Sequence, residues 1–349
     1  MNARTVWVAV TCLAGAALPG SLAGCGTDPP VPTGPFSKLV VFGDSLTDTG
    51  NLKDVSQFIP SDPYYAGRFT NGEAWIEHLA RHFGLDARPS YRGGTNFALG
   101  AAATGLGLTN YAGFPLAPNI REQIRLYKGT PNGTELFVIW AGAIDIFESI
   151  TGECMVTMED SAANIGLAVR DLYVRGGRQF LVPNLPDIGR VPRYRGTPRE
   201  AQATGLTLAF NTALAATLDE LSVLEGIAIY RLDVAGLLEE GIAHPPAGVA
   251  NVTDPAWTGS LLGYLAGDGG TVVPEPDGHL FWDSVHPSRV GHRLIGDAAV
   301  GAVEAGLKTP IRDPAAPAAD PFALQPLDFW LTWLANISQS YESTDQCRY

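Results

Sequence analysis

Ser45, Asp283 and His286 are the residues whose types and placement point to chemistry in this chain. A serine hydroxyl is a weak nucleophile and needs an adjacent general base, with a third group to orient that base. Asp283 and His286 stand three apart in Phe281-Trp282-Asp283-Ser284-Val285-His286-Pro287, close enough to reach one serine together. The aspartate would hold the imidazole in the right tautomer and stabilise the imidazolium that forms. Taken alone, such a pair fits a structural role equally well, so the case rests on where Ser45 sits. Leu39 to Phe42 is apolar and rich in β-branched residues, and the turn residues Gly43-Asp44-Ser45 cut it off. That pattern predicts a buried strand delivering Ser45 to the loop at its carboxyl end. Sites in open α/β sheets form there.

The other histidines read differently. His78 and His82 stand at i, i+4 without an intervening HExxH pattern or a third ligand, which favours a solvated helix face over a metal site. His292 reads as packing, and His244 and His279 fall in loops.

The elements that must position the triad follow from periodicity. Trp75, Ile76, Leu79, Ala80 and Phe83 share one helical face, stopped by Gly84. Leu136 to Trp140 and Gln179 to Pro183 are continuous apolar runs of buried-strand type, and Ile227 to Leu232 is strand-like again. Between them Ile165, Ala168, Val169 and Leu172 recur at i, i+3, i+4, i+7, closed by Gly176-Gly177. Thr197-Pro198-Arg199-Glu200 has the form of a capping box with proline at N1, opening a helix to about Leu224. Strands alternating with helices indicate βαβ units and a parallel sheet covered on both faces. From Gly241 to Gly278 the chain is rich in Gly, Pro, Ala and Asp, and reads as a wall or lid of the site.

Four stretches, FGDSLTDTGN, TNFALGAAATG, LFVIWAGAIDIF and FWDSVHPSRVGH, occur in that order and resemble the four sequence blocks of the GDSL, or SGNH, esterase and lipase family. PYYAGRFTNGEAWIEHLA, between the first two, is similar to the branch whose first block reads FGDSxxDxGN. The resemblance covers residues 36–307. It implies a three-layer α/β/α fold with a parallel sheet, flavodoxin-like in the SGNH manner. It also implies hydrolysis of carboxylic esters through an acyl-enzyme on Ser45, with no metal and no cofactor. The oxyanion donors it implies are the backbone N–H of Ser45, the backbone N–H of Gly100 and an asparagine side chain. Gly100 also fits a packing glycine in a tight turn. The asparagine is missing: where the family carries G-x-N-D, this chain has Gly142-Ala143-Ile144-Asp145. Asp44 is expected to fix the nucleophile loop by hydrogen bonding, and Asp48 to cap the turn that follows.

Residues 1–24 read as a targeting segment, with Arg4 as sole charge, an apolar core from Val6 to Leu18, and small residues up to Leu22-Ala23-Gly24-Cys25. LAGC resembles the bacterial lipobox, which makes Cys25 a lipidation site; an ordinary secretory signal with a chance cysteine is the alternative. Residues 25–35, with four prolines and no apolar run, are a semi-extended tether. Residues 36–307 are then the hydrolase domain. Residues 308–349 form a linker, RDPAAPAADP, and a helical extension with Leu327, Trp330, Leu331, Leu334 and Ile337 on one face. Cys154 and Cys347 remain once Cys12 leaves with the signal, a candidate disulfide in an oxidising compartment or else two separately buried thiols.

Composition sets the outer limits. The chain has 349 residues, 46% of them hydrophobic, and a formal charge of −13. That charge argues against nucleic acid and against anionic lipid headgroups as electrostatic partners. Expected partners are a small ester or lipid substrate and, through the Cys25 lipid, a bacterial membrane on its periplasmic or cell-surface side. A conventional α/β-hydrolase would carry G-x-S-x-G, which is absent. A flavodoxin-like cofactor binder would need a phosphate-binding glycine loop. The remaining rival is a catalytically impaired surface lipoprotein that binds rather than cleaves, a reading favoured by Ile144.

Overall fold

The computed structural model describes residues 34–111, 114–152, 156–259 and 269–308. Cys25, the Cys154–Cys347 pair, the leader, the tether up to residue 33 and the C-terminal extension from residue 309 lie outside them.

The apolar run after Lys38 forms β1 (Lys38–Gly43), buried from its second residue onward. β4 (Glu135–Trp140) is buried at every position and pairs parallel with β1, Leu39 opposite Leu136 and Phe42 opposite Ile139. β5 (Gln179–Pro183) and β6 (Ala228–Leu232) extend the sheet in the order β1-β4-β5-β6, all parallel. Strands buried on both faces carry continuous rather than alternating hydrophobicity, which is why these runs are legible. On the outer side of β1 the segment through Asn96 adds a parallel bridge to Val41, with Val41 N–H donating to Thr95 at 3.0 Å and Phe97 N–H to Val41 at 2.7 Å. The chain therefore leaves β1 to one side for Asn96 and then crosses to β4 on the other. That makes the carboxyl end of β1 a topological switch point, where crevices open in such sheets.

Helices flank the sheet in the expected three-layer α/β/α arrangement. α2 (Trp75–His82) packs against the last described helix, α8 (Arg289–Leu307), while α5 (Met158–Val174) packs against α6 (Glu200–Leu221), α3 (Ile120–Leu126) and α4 (Ala143–Thr151). α1 (Asn51–Ser56) and α7 (Val234–Ala243) are shorter. Two small sheets complete the described elements: an antiparallel pair, β2 (Leu108–Tyr111) with β3 (Phe114–Pro118), and a parallel pair, β7 (Asn251–Pro255) with β8 (His279–Phe281). The core runs along the sheet, where Phe137 and Phe180 stack at 5.6 Å.

The capping box expected at Thr197 does not form. α6 begins at Glu200, and the Thr197 hydroxyl donates to the carbonyl of Tyr194 in the preceding turn. Glu200 accepts the N–H of Gly196 at 2.6 Å rather than that of Thr197, and the Thr197 oxygen accepts the N–H of Arg199 at 3.2 Å rather than that of Glu200.

Candidate active site

Gly43 ends β1 in a crowded corner, where an added Cβ would lie 3.0 Å from Thr47 Cβ and 3.1 Å from the Trp140 carbonyl oxygen. The Gln123 side chain from α3 clamps this peptide, accepting the Gly43 N–H at 3.1 Å and donating to its carbonyl at 2.9 Å. The next residues turn sharply: the Asp44 carbonyl accepts from the N–H groups of Thr47 and Asp48, and Asp44 Oδ1 accepts from Leu46 at 2.9 Å. Ser45 is thus presented at the switch point on a loop whose backbone is held on both sides. Burial pushes the Asp44 carboxyl up to about 7, the Leu46 hydrogen bond only partly opposing it.

Asp48 organises the floor of the loop. Its Oδ1 accepts from Gly50 at 2.7 Å and Asn51 at 2.6 Å, and its Oδ2 from Leu52 and Gly100, both at 3.0 Å. Burial still raises this carboxyl to about 6 against those four donors. Asn51 donates to the carbonyls of Asn96 and Ala98, and Asn96 donates back to Thr47 and Thr49, stitching the two loops together.

That network corrects one expectation. The Gly100 N–H, assigned to an oxyanion, is donated to Asp48 instead, because the carboxylate lies directly beneath the loop. Gly100 is a packing glycine: a Cβ there would meet the Phe69 ring at 2.6 Å and Leu52 at 2.9 Å.

The second half of the site descends from β8. Leu280 and Ser288 pin the segment, the Ser288 N–H reaching the Leu280 carbonyl at 2.9 Å before α8 starts. Inside this loop Asp283 Oδ1 accepts the N–H groups of Val285 at 2.8 Å and His286 at 2.7 Å, which fixes the three-residue spacing. His286 Nδ1 lies 2.7 Å from Asp283 Oδ2, and Nε2 lies 2.8 Å from Ser45 Oγ. An ionised carboxylate only accepts, so Nδ1 carries the proton and Nε2 is free to accept the serine O–H. Burial works to raise the Asp283 carboxyl, but the charge His286 carries when protonated and its hydrogen bond, with the Tyr64 phenol, hold it below the ordinary aspartate range. The structure therefore brings Ser45, His286 and Asp283 into one hydrogen-bonded chain.

Two further residues in contact with this chain carry no chemical signal in the sequence. Tyr64 donates to Asp283 Oδ2 at 2.6 Å, and the Phe69 ring lies 5.3 Å from the His286 ring, tilted by 34°. Both come from PYYAGRFTNG, whose aromatics and glycines suggest packing alone. Trp257, at 5.1 Å from Tyr64, and Trp282 back this cluster, so part of the Gly241–Gly278 region does wall the site.

Ile144 is the second residue of α4 and lines a pocket beside Ser45 and His286. Asp145, next to it, is buried and accepts from Thr104 and Ser161. His292 is fully buried, its Nδ1 accepting the Trp75 N–H at 3.2 Å, and burial depresses it to about 3. His78 and His82 face separate carboxylates, Glu73 at 3.9 Å and Glu304 at 2.9 Å. Among the described residues no group of three or more His, Cys, Asp or Glu side chains is placed to hold a metal ion.

A sequence profile described as "GDSL-like Lipase/Acylhydrolase" matches residues 39–299, most of the chain. The chain belongs to this family. That makes it a carboxylic ester hydrolase by class. It is similar to the phosphatidylcholine-sterol acyltransferase of Aeromonas hydrophila, 23% identical over 312 residues, covering 77% of this chain and 90% of that one. Against the thermolabile hemolysin of Vibrio parahaemolyticus it is 26% identical, covering 75% of this chain and 62% of that protein. Against esterase EstA of Pseudomonas aeruginosa it is 28% identical over 79% of this chain, and it spans about half of EstA, 48%. Among solved structures it is similar to an aryl esterase of M. smegmatis, with TM-score 0.44 and 15% identity over 77% of this chain and 99% of that one.

Proposed function

We propose that the protein hydrolyses carboxylic esters through an acyl-enzyme on Ser45, with His286 as general base and acid and Asp283 as its orienting carboxylate. The observation that carries this reading is the unbroken chain from Ser45 Oγ to His286 Nε2 at 2.8 Å and from Nδ1 to Asp283 at 2.7 Å. In it, Ser45 Oγ attacks the ester carbonyl carbon while its proton passes to Nε2. The tetrahedral oxyanion is held by the Ser45 N–H, and collapse breaks the acyl–oxygen bond, the Nε2 proton leaving with the alcohol. Water then attacks the acyl-enzyme by the same route, returning the proton to Ser45 and releasing the acid.

A fluorophosphonate probe should label the protein, and Ser45→Ala should abolish labelling and ester turnover together. Equal labelling of both proteins overturns the assignment. The second reading, a binding scaffold that has lost turnover, is favoured by Ile144 in the asparagine position. It predicts neither labelling nor hydrolysis in a folded wild type.

We further propose that the chain is exported and anchored through a lipid on Cys25, on the strength of Leu22-Ala23-Gly24-Cys25. Labelled palmitate incorporated in a bacterial host by wild type, and lost in Cys25→Ser, tests it. A soluble wild type with a different N-terminus refutes it.

A further inference from the structure

The pocket that opens beside Ser45 has almost no polar lining. Asp44, Ser45 and His286 contribute the polar side chains at its reacting end, and Trp140, whose indole N–H is donated to the Asn184 carbonyl, adds no free one. Everything else in its wall is aliphatic, aromatic, proline or glycine. Much of the wall comes from Ile144 and Phe147 on α4, the loop from Pro186 to Val191, Leu237 and Leu238 on α7, and Leu294 and Ile295 on α8, and β8 with the loop after it closes the rest. Together they enclose about 820 Å³ of space, part of it open to solvent. Several of these side chains, Leu237, Leu238, Phe147 and Leu294 among them, are only partly buried, so apolar surface faces the pocket.

We propose that this pocket is a binding site for the hydrocarbon chain of an acyl ester, with Ile144 as part of its wall where the family places a polar amide. The proposal rests on the reading of Ser45 as nucleophile. A sugar or a charged headgroup entering here would lose its hydration with no partner beyond the triad, an uncompensated cost. A hydrocarbon chain gains from the same wall. The acyl part, not the alcohol, is assigned to the pocket, because it stays covalently attached to Ser45 while the alcohol must leave and water must enter. Ile144 therefore trades a transition-state donor for chain-binding surface.

The test is kcat/KM for p-nitrophenyl acetate, butyrate, hexanoate and octanoate on the full chain. Full burial corresponds to about fourfold per methylene, so a rise of at least tenfold from acetate to octanoate is expected. Leu238→Trp should lower the octanoate-to-acetate ratio by tenfold or more, and Leu237→Phe, a smaller intrusion, should lower it less if the first variant misfolds. Ser45-dependent hydrolysis that falls with acyl length, or a ratio unchanged in both folded variants, overturns the chain site while leaving the hydrolase reading intact. An acetate series from ethanol to octanol should stay flat; a rise there with a flat acyl series overturns the acyl assignment. Binding of cis-parinaric acid to Ser45→Ala is read independently of turnover. It should be saturable and weakened tenfold by Leu238→Trp, and its absence sinks the site even where esters are cleaved. No labelling and no hydrolysis at all count against the Ser45 reading instead.

Discussion

The phenol of Tyr64 donates a 2.6 Å hydrogen bond to Oδ2 of Asp283, the same oxygen that lies 2.7 Å from Nδ1 of His286. With two backbone N–H groups on Oδ1, the carboxylate has four donors, and it is buried. Its charge is thereby shared between the imidazole and a neutral phenol, and its orientation is fixed by a second side chain besides the histidine.

Tyr64→Phe removes this bond and keeps the ring in its aromatic cluster. Hydrogen bonds to charged groups contribute about 1.5–3 kcal/mol to stability, so urea unfolding should show a loss in that range, and kcat/KM should fall as Asp283 loses a fixed partner. Unchanged stability and unchanged kcat/KM would reduce Tyr64 to packing.

Asp44 supplies a pH dependence of stability. Its carboxyl moves from 3.8 to about 7 on folding because burial disfavours the charged form. A raised folded value means that its stabilising contribution is complete below the unfolded value and is lost as pH rises through the folded one. Asp44→Asn does not titrate and keeps an oxygen for the Leu46 N–H. Its melting temperature relative to wild type should therefore climb by several degrees from pH 4 to pH 8. A difference constant across that range would contradict the burial argument.

Gly142 and Gly152 bracket α4, the helix that carries Ile144. Gly142 has φ +124° and its missing Cβ would lie 2.6 Å from the buried Phe210 ring, whereas Gly152 at φ +76° has nothing within 4 Å. Gly152→Ala should cost about 1–2 kcal/mol of backbone strain. Gly142→Ala adds a clash in a packed core and should cost about 2–4 kcal/mol by urea unfolding. Equal losses would mean that the Phe210 contact yields.

The parallel sheet was legible because strands buried on both faces are written as unbroken apolar runs, and Ser45 because turn residues end one of them. Asp283 and His286 were legible because their contact is local. Tyr64 was not: its partner is 219 positions away, and nothing in a Pro-Tyr-Tyr sequence distinguishes a packing ring from a hydrogen-bonding one. Gln123, which clamps Gly43 from 80 positions away, was hidden for the same reason. At Gly100 the residue type was informative and the role was not, since a glycine without a side chain serves close packing against Phe69 and a free N–H equally well. The Thr197 box failed because Glu200 accepts the Gly196 N–H and the Thr197 oxygen accepts from Arg199, one residue short of Glu200.

Ile144→Asn separates the two costs of having an alkyl group beside Ser45. Removing a side-chain oxyanion donor typically lowers turnover by about 10²–10³. Ile144 stands at the second position of α4 in the wall of the pocket shared with Ser45 and His286, so an amide there enters the same space. On the proposed mechanism, with Gly100 engaged by Asp48, the oxyanion is left to the Ser45 N–H, and the need for another donor is greater than the sequence implies. On p-nitrophenyl acetate, which uses little of the pocket, kcat should rise tenfold or more with KM little changed, the pattern of an interaction made in the transition state. On the octanoate the gain should shrink, because the same substitution puts a polar group in the path of the chain. No gain on acetate in a folded variant of an active enzyme would mean that a donor from elsewhere already meets the oxyanion.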